Sequence, residues 1–127
     1  MMKTQVGHLC RPVITVDIDS SVNDLVKDVA WEKVSSAVVT DKSKKVVGVI
    51  TERDILHAES LDMDLDTLKA SDICSRYIIR IGPEDSIIGA AHMMIDHKVH
   101  HVLIMTGDYV EGMISTLDVL EQLLDRE

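Results

Sequence analysis

The chain has 127 residues, of which 46% are hydrophobic, and it contains one Trp, two Tyr and no Phe. That length suits one compact domain with its own apolar core. The 13 basic and 22 acidic residues give a formal net charge of −9, which argues against nucleic acid or an anionic membrane as a partner.

The N-terminus and the cysteines bear on the cellular compartment. Residues 1–5 lack the apolar core of a signal peptide, and no stretch approaches the roughly 18 apolar residues of a membrane span. Cys10 and Cys74 are the only cysteines, too few for a disulfide framework. The sequence therefore predicts a cytoplasmic protein with reduced thiols.

The first predicted helix lies near residues 22–30, where apolar side chains recur at i, i+3, i+4, i+7 and i+8. The same spacing returns 65 residues later. Ser21 and Ser86 stand directly before these segments as candidate N-caps. The apolar positions are Val22, Leu25, Val26, Val29 and Ala30 in the first copy, and Ile87, Ala90, Ala91, Met94 and Ile95 in the second.

Short aliphatic runs at residues 37–40 and 102–105 follow the two helices and predict strands. A mostly polar turn comes after each run, and then a second strand. That strand enters GVITERDIL at residues 48–56, which recurs 64 residues later as GMISTLDVL at residues 112–120. Each copy is therefore predicted to run strand, helix, strand, strand, helix.

The duplication defines the predicted domains and the fold class. Residues 1–60 form the first repeat, 61–70 an exposed acidic connecting segment, and 71–127 the second repeat. One copy alone would leave a sheet face uncovered. The sequence predicts an α/β (α+β) fold in which two β-α-β-β-α repeats pack sheet to sheet about a pseudo-two-fold axis.

The repeated motif has a physical interpretation that requires no ligand. Gly48 and Gly112 would allow another group to approach the backbone closely. Thr51 would cap the helix that follows, with Asp54 three residues later completing a capping box, and Ser115 and Asp118 would do the same in the second copy. A purely structural role for the motif therefore remains open.

With its duplicated motif and element order, the chain resembles the CBS domain family from about residue 6 to residue 124. The resemblance implies a tandem pair that binds AMP, ADP, ATP or an S-adenosylmethionine-like compound in clefts between its repeats. In such pairs the motif Asp receives the ribose hydroxyls and the other repeat encloses the adenine. The resemblance also implies a homodimer and an unidentified effector protein, and it requires no cofactor.

Carried onto this sequence, the resemblance implies two sites. We expect the first to be the main one, because Arg53 and two histidines can reach phosphate. In the second, Leu117 replaces that arginine, so we expect it to bind an uncharged nucleoside-like group, to bind weakly, or to stay empty. The first site comprises Val49, Thr51, Arg53, Asp54, Ile78, Ile79, His100 and His101; the second comprises Val13, Ile14, Ser35, Ser36, Met113, Ser115, Leu117 and Asp118.

Several histidines lie close together in the second copy: His92, His97, His100 and His101. Their spacing does not fix a zinc-binding geometry, so no metal site is predicted.

The sequence bears on three classes of function. An adenine-nucleotide sensor that signals to a partner protein is favoured, and a ligand-free dimerisation or interaction module is the alternative. An enzyme is not predicted, because the sequence pairs no nucleophile with a base and has no phosphate-cradling glycine loop.

Overall fold

The computed structural model describes residues 4–125, which form a mixed α+β fold with two three-stranded sheets. A short 3₁₀ helix, Val6–Leu9, comes first. The first copy then has β1 (Thr15–Asp17), α1 (Val22–Asp28), β2 (Ser36–Thr40), β3 (Val46–Thr51) and α2 (Glu52–Ser60). After α3 (Ala70–Ile73), the second copy has β4 (Arg80–Ile81), α4 (Ile87–His97), β5 (His101–Thr106), β6 (Tyr109–Ser115) and α5 (Thr116–Asp125). The predicted fold class and element order are confirmed.

Both sheets have the same topology. In the first, β1 runs parallel to β2 and β2 antiparallel to β3; in the second, β4, β5 and β6 repeat this arrangement. Each antiparallel pair carries a register irregularity near the glycine of the motif, between Val39 and Thr40 and between Ile104 and Met105. The sequence duplication is therefore also a duplication of strand pairing.

The chain divides into two compact units that do not follow the linear order of the copies. One unit is Ile14–Ile78, and the other joins residues 4–13 to residues 79–125. Val6 is fully buried in the core of the latter, and its N–H donates to the Asp85 carbonyl at 2.8 Å. In the same way, Ala70 is fully buried in the core of Ile14–Ile78. The segment that precedes each copy thus completes the fold of the other copy.

Side-chain caps and apolar periodicity explain where the main helices begin. The Ser21 hydroxyl accepts from the Asp24 N–H at 3.1 Å, and the Ser86 hydroxyl accepts from the Gly89 N–H at 3.0 Å. Both predicted N-caps are confirmed. The first helix ends at Asp28, before the predicted end of the pattern, although Val29 still contributes to the core.

Each unit has its own apolar core beneath its sheet. Ile50 and Val39 are fully buried in one, and Ile114 and Ile104 occupy the matching places in the other. These cores hold the ends of β3 and β6, where the motif passes from strand to helix. No helix among residues 4–125 is both long enough and apolar enough to span a bilayer.

Candidate functional site

The motif carboxylates cap the helices that follow β3 and β6. Asp54 Oδ2 accepts from the Thr51 N–H at 2.8 Å and from the Thr51 hydroxyl at 3.0 Å. Asp118 Oδ2 accepts from the Ser115 N–H at 2.8 Å and from the Ser115 hydroxyl at 2.9 Å. The backbone N–H of each aspartate donates back to the same hydroxyl, at 3.3 and 3.2 Å. The predicted capping boxes are confirmed in both copies.

The motif glycines allow a distant segment to pair with each motif strand. At Gly112, an added Cβ would collide with Cys10 Sγ and with the Arg11 carbonyl oxygen; at Gly48, it would collide with the Ser75 carbonyl oxygen and lie 2.9 Å from Cys74 Sγ. Arg11 and Met113 exchange two backbone hydrogen bonds of 2.9 Å, and Ser75 and Val49 form the matching pair. The close approach predicted for the glycines is thus made by the segment preceding the opposite copy.

Both cysteines lie on these pairing segments. They are free and partly buried, and burial is the main cause that raises the pKa of each thiol above its ordinary value. The uncharged thiol therefore prevails at neutral pH, which is a poor state for nucleophilic chemistry.

Asp118 is the motif carboxylate that accepts hydrogen bonds on both of its oxygens. It is only 5% exposed, and its Oδ1 accepts from the Arg11 Nε at 2.5 Å. Burial acts to raise the pKa of Asp118, but the hydrogen bonds from Ser115 and Arg11 outweigh it, and the pKa lies below its ordinary value. Asp118 is therefore held as a carboxylate, with its cap on one oxygen and a guanidinium on the other.

Asp54 keeps one oxygen available. Its Oδ2 serves the cap, whereas its Oδ1 accepts no hydrogen bond from the residues described within Ile14–Ile78. The position equivalent to Arg11 in the pairing segment is Ser75, which has no cation to offer. A carboxylate oxygen has two lone-pair directions, so this oxygen can accept two hydroxyl groups.

A cavity of about 240 Å³ opens beside the first turn of α5. Four of the residues predicted for the second site line it, together with His101, which was predicted for the first site, and Arg11, which was predicted for neither. The lining residues are Arg11, His101, Met113, Ser115, Leu117 and Asp118. The cavity thus combines two apolar side chains with a carboxylate, a hydroxyl, an imidazole and a guanidinium.

Antiparallel pairing within each hairpin places the first residue of β2 and the first residue of β5 beside the motif of their own copy. His101 pairs with Ser115, and Ser36 pairs with Thr51. The His100 carbonyl oxygen accepts from the Thr116 N–H at the start of α5, at 2.9 Å. The predicted sites had grouped these residues with the motif of the opposite copy, and that grouping stays a prediction.

The other predicted residues lie as follows. Val49, Thr51, Arg53, Asp54 and Ile78 belong to the unit Ile14–Ile78, as do Ile14, Ser35 and Ser36, whereas Val13 and Ile79 belong to the other unit. Arg53 is exposed on the first turn of α2, and Ile78 and Ile79 are partly buried.

The histidine cluster shows no metal geometry in the described part of the chain. Within residues 4–125, no three His, Cys, Asp or Glu side chains are arranged to hold a metal ion. Partial removal from water and the neighbouring His100 lower the pKa of His101, while Asp118 opposes them. His101 is therefore uncharged at neutral pH.

Arg11 is the residue of this site that sequence reasoning missed. It lies 107 positions from Asp118, outside the repeated motif. The available signal was the match of Leu9-Cys10 with Ile73-Cys74, which marks an equivalent segment before each copy. Only the pairing of that segment with the motif strand brings the guanidinium to the carboxylate.

Comparison with known proteins identifies relatives over nearly the whole chain. A family model of the CBS domain matches residues 6–61 and 70–125. The chain is 24% identical over 117 residues to arabinose 5-phosphate isomerase KdsD of Yersinia pestis, and 30% identical over 121 residues to inosine-5'-monophosphate dehydrogenase of Bifidobacterium longum. These matches cover 92% and 94% of this chain but only 36% and 22% of the two enzymes.

Solved structures show the same fold. A CBS domain protein from Pyrobaculum aerophilum complexed with AMP superposes with a TM-score of 0.78 and 27% identity, covering 95% of this chain and 98% of that one. A putative acetoin utilization protein from Vibrio cholerae has a TM-score of 0.83 at 17% identity, covering 99% of this chain and 93% of that one, a likeness of fold alone.

Proposed function

The chain belongs to the CBS domain family and carries two CBS domains in tandem; from this premise we propose that it is a regulatory module that binds an adenine nucleotide and passes that state to a partner protein. The observation that carries the proposal is the composition of the cavity at α5. It offers a carboxylate for ribose, a guanidinium for phosphate, and the apolar walls of Met113 and Leu117 for a base. The AMP complex of the Pyrobaculum aerophilum relative supports this choice of ligand.

Ribose recognition is assigned to the motif aspartates. A vicinal diol donates two hydroxyl hydrogen bonds, and a carboxylate is the acceptor that makes such bonds strong. The Oδ1 of Asp54 fits this role without rearrangement, because the cap uses only Oδ2. Asp118 has the same cap, but Arg11 already donates to its Oδ1. We therefore keep Asp54 as the centre of the main site and Asp118 as that of the second.

The residues predicted for the two sites form the rest of the proposal. Around Asp54, we assign the exposed Arg53 to the phosphate, because Arg53 lies on the first turn of α2, next to Asp54 in the sequence, and a guanidinium binds phosphate well. AMP, ADP, ATP and an S-adenosylmethionine-like compound are the candidate ligands. Ligand binding would alter the partner interaction by favouring one arrangement of the protein over another.

Exposed apolar side chains on the helices support self-association as a homodimer. The contacting helices α4 and α5 leave large aliphatic residues open to water, and α2 does the same. They are Ile88, Ile95, Leu117, Leu120 and Leu124 on α4 and α5, and Leu56 on α2. This observation also favours the alternative function, a dimerisation module that needs no ligand. Light scattering with and without nucleotide would measure the oligomeric state directly.

Isothermal titration with AMP, ADP, ATP and S-adenosylmethionine tests nucleotide binding. Asp54→Asn keeps an amide oxygen for the cap but presents an NH₂ donor where ribose hydroxyls need an acceptor. We expect it to weaken the main site by about tenfold or more. Asp85→Asn is the matched control, since Asp85 also accepts a backbone N–H from three residues earlier, that of Gly82, but belongs to neither set of predicted site residues.

Two results would overturn the proposal in different ways. If none of the four compounds binds to the purified protein, nucleotide sensing is wrong and the ligand-free module stands. If a nucleotide binds equally well to the parent and to Asp54→Asn, Asp54 is not the ribose acceptor of the main site.

A further inference from the structure

The side chain of Arg11 is largely exposed, whereas its backbone is held by strand pairing. Backbone hydrogen bonds to Met113 hold the residue in place, whereas the side chain is 61% exposed. The guanidinium reaches along α5 from Asp118 to Glu121, whose Oε2 lies 3.8 Å from one terminal nitrogen. A rotation of this side chain therefore needs no change in strand pairing.

Arg11 also borders two cavities. It lines the cavity of about 240 Å³ described above and a second one of about 230 Å³, and Asp118 lines both as well. The second cavity is completed by His8, Leu9, Cys10, Glu121 and Gln122. Both partners of the ion pair therefore border both cavities, and the Arg11 side chain can turn toward either one.

Arg11 is the permanent cation among the residues that line the cavity at α5. Leu117 occupies the helix position that holds Arg53 in the first copy. His101 is uncharged at neutral pH, for the reasons given above. Among the described residues that line the cavity at α5, Arg11 is therefore the group that can neutralise a phosphate at pH 7.

A ribose at Asp118 has to compete with Arg11. An uncharged nucleoside that bonds to Oδ1 displaces the guanidinium and gives it no new anionic partner. A ligand that also carries a phosphate offers Arg11 two oxygens in a geometry that a guanidinium binds well. Replacing the Arg11 guanidinium at Asp118 by ribose hydroxyls therefore costs less free energy when the ligand is a nucleotide than when it is a nucleoside.

We propose that Arg11 makes the Asp118 cavity selective for phosphorylated adenosine ligands, by leaving Asp118 for the ligand's phosphate as the ribose hydroxyls take its place. This inference rests on the proposed function and departs from the expectation of an uncharged ligand at the second site. It assigns to a residue of the N-terminal segment the role that is proposed for Arg53 in the first copy.

The test compares AMP with adenosine in the Asp54→Asn background, in which the main site is weakened. Isothermal titration gives the dissociation constant of each ligand for this protein and for the same protein with Arg11→Gln. We expect AMP to bind about tenfold more weakly after the substitution. Adenosine should bind about threefold more tightly, because its ribose no longer has to displace a guanidinium from Asp118. The preference for AMP over adenosine therefore falls by more than either change alone.

Two further variants separate selectivity from structure and from net charge. Arg11→Lys keeps the positive charge without the planar fork, and it should retain more AMP affinity than Arg11→Gln. Arg80→Gln removes the same charge from the same unit, but Arg80 bonds to the Gly107 carbonyl at the far end of the β5–β6 hairpin. It should leave the ratio of the two affinities unchanged.

The outcomes distinguish this inference from the function on which it rests. An unchanged ratio in Arg11→Gln, or an equal loss for both ligands, would overturn the role of Arg11 and leave nucleotide binding intact. AMP binding that disappears entirely with Asp54→Asn would confine the nucleotide to the main site and reject the inference alone. Failure of the unsubstituted protein to bind AMP, ADP or ATP would reject the proposed function and the inference together.

Discussion

The first turns of α2 and α5 have the same capping box in different surroundings. In both, the N3 aspartate holds the backbone N–H and the hydroxyl of the residue before the helix within 3.0 Å. At α5, Arg11 takes the second carboxylate oxygen; at α2, the equivalent position is Ser75 and the second oxygen stays open within its unit. A motif conveys local geometry reliably, but the chemical state of its carboxylate depends on a segment far away in sequence.

The glycine substitutions have the largest expected effect, and they test what the two regions share. Gly112→Ala and Gly48→Ala would force apart the paired segments, because the new Cβ meets backbone oxygen in both. We expect each to lower the free energy of unfolding by about 3 kcal/mol. Urea denaturation measures this.

Gly89→Ala is the control for these two variants. A Cβ at Gly89 would meet only the Ser86 hydroxyl at 3.4 Å and Ile81 at 3.8 Å, and alanine favours the helix. We expect its stability to be unchanged or raised. A Gly112→Ala variant as stable as the parent would show that the close approach of residues 10 and 11 does not matter to the fold.

Removing the carboxylates has an intermediate effect and tests the difference between the regions. Asp54→Ala loses the half of the capping box in which its carboxylate accepts the Thr51 N–H, worth about 1 kcal/mol. Asp118→Ala should cost more, about 2 kcal/mol, because Asp118 is buried and its second oxygen accepts from Arg11, so the substitution removes an ion pair as well as the cap. Thermal or urea denaturation of the two variants gives the comparison. Equal losses would mean that the surroundings of Asp118 add nothing to its cap.

The smallest effect is a pH dependence specific to Asp118. The pKa of Asp118 is lower in the folded protein than in the unfolded chain, so its stabilisation is fully present above about pH 4 and is lost as the pH falls through the folded value. The parent should therefore lose more unfolding free energy than Asp118→Asn between pH 6 and pH 3. Urea titrations at both pH values measure the difference. An identical acid dependence in the two proteins would contradict the hydrogen-bonded carboxylate described here.

The helices and strands were predictable because their signals are local. Ser21 and Ser86 cap the helices at the predicted positions, since a serine before an apolar helical pattern can satisfy an N–H two or three residues on. The capping boxes at Asp54 and Asp118 follow from a spacing of three residues. Each of these caps is predicted independently in both copies of the repeat, so the prediction for one copy supports the prediction for the other.

Local signals did not predict that the segment preceding each copy would fold with the other copy. Val6 and Ala70 are buried in units whose main part comes from the opposite copy. Nothing in their local sequence specifies which sheet they join, because either copy offers an apolar core and a glycine-bearing strand. The neighbours of His101 were equally unpredictable. The pairing of β5 with β6 places His101 beside Ser115, and the spacing of these residues in the sequence does not specify that contact.

The sequence by itself determined the family, the duplicated order of elements and the two capping aspartates, because periodicity, glycine placement and helix caps depend on neighbours a few residues away. Only the tertiary structure decided that Arg11 meets Asp118 and that His101 and Leu117 share a cavity with them. The physical reason is that an ion pair between residues 107 positions apart depends on which strand the N-terminal segment joins, and that choice is made by burial of Val6 in the core rather than by the arginine.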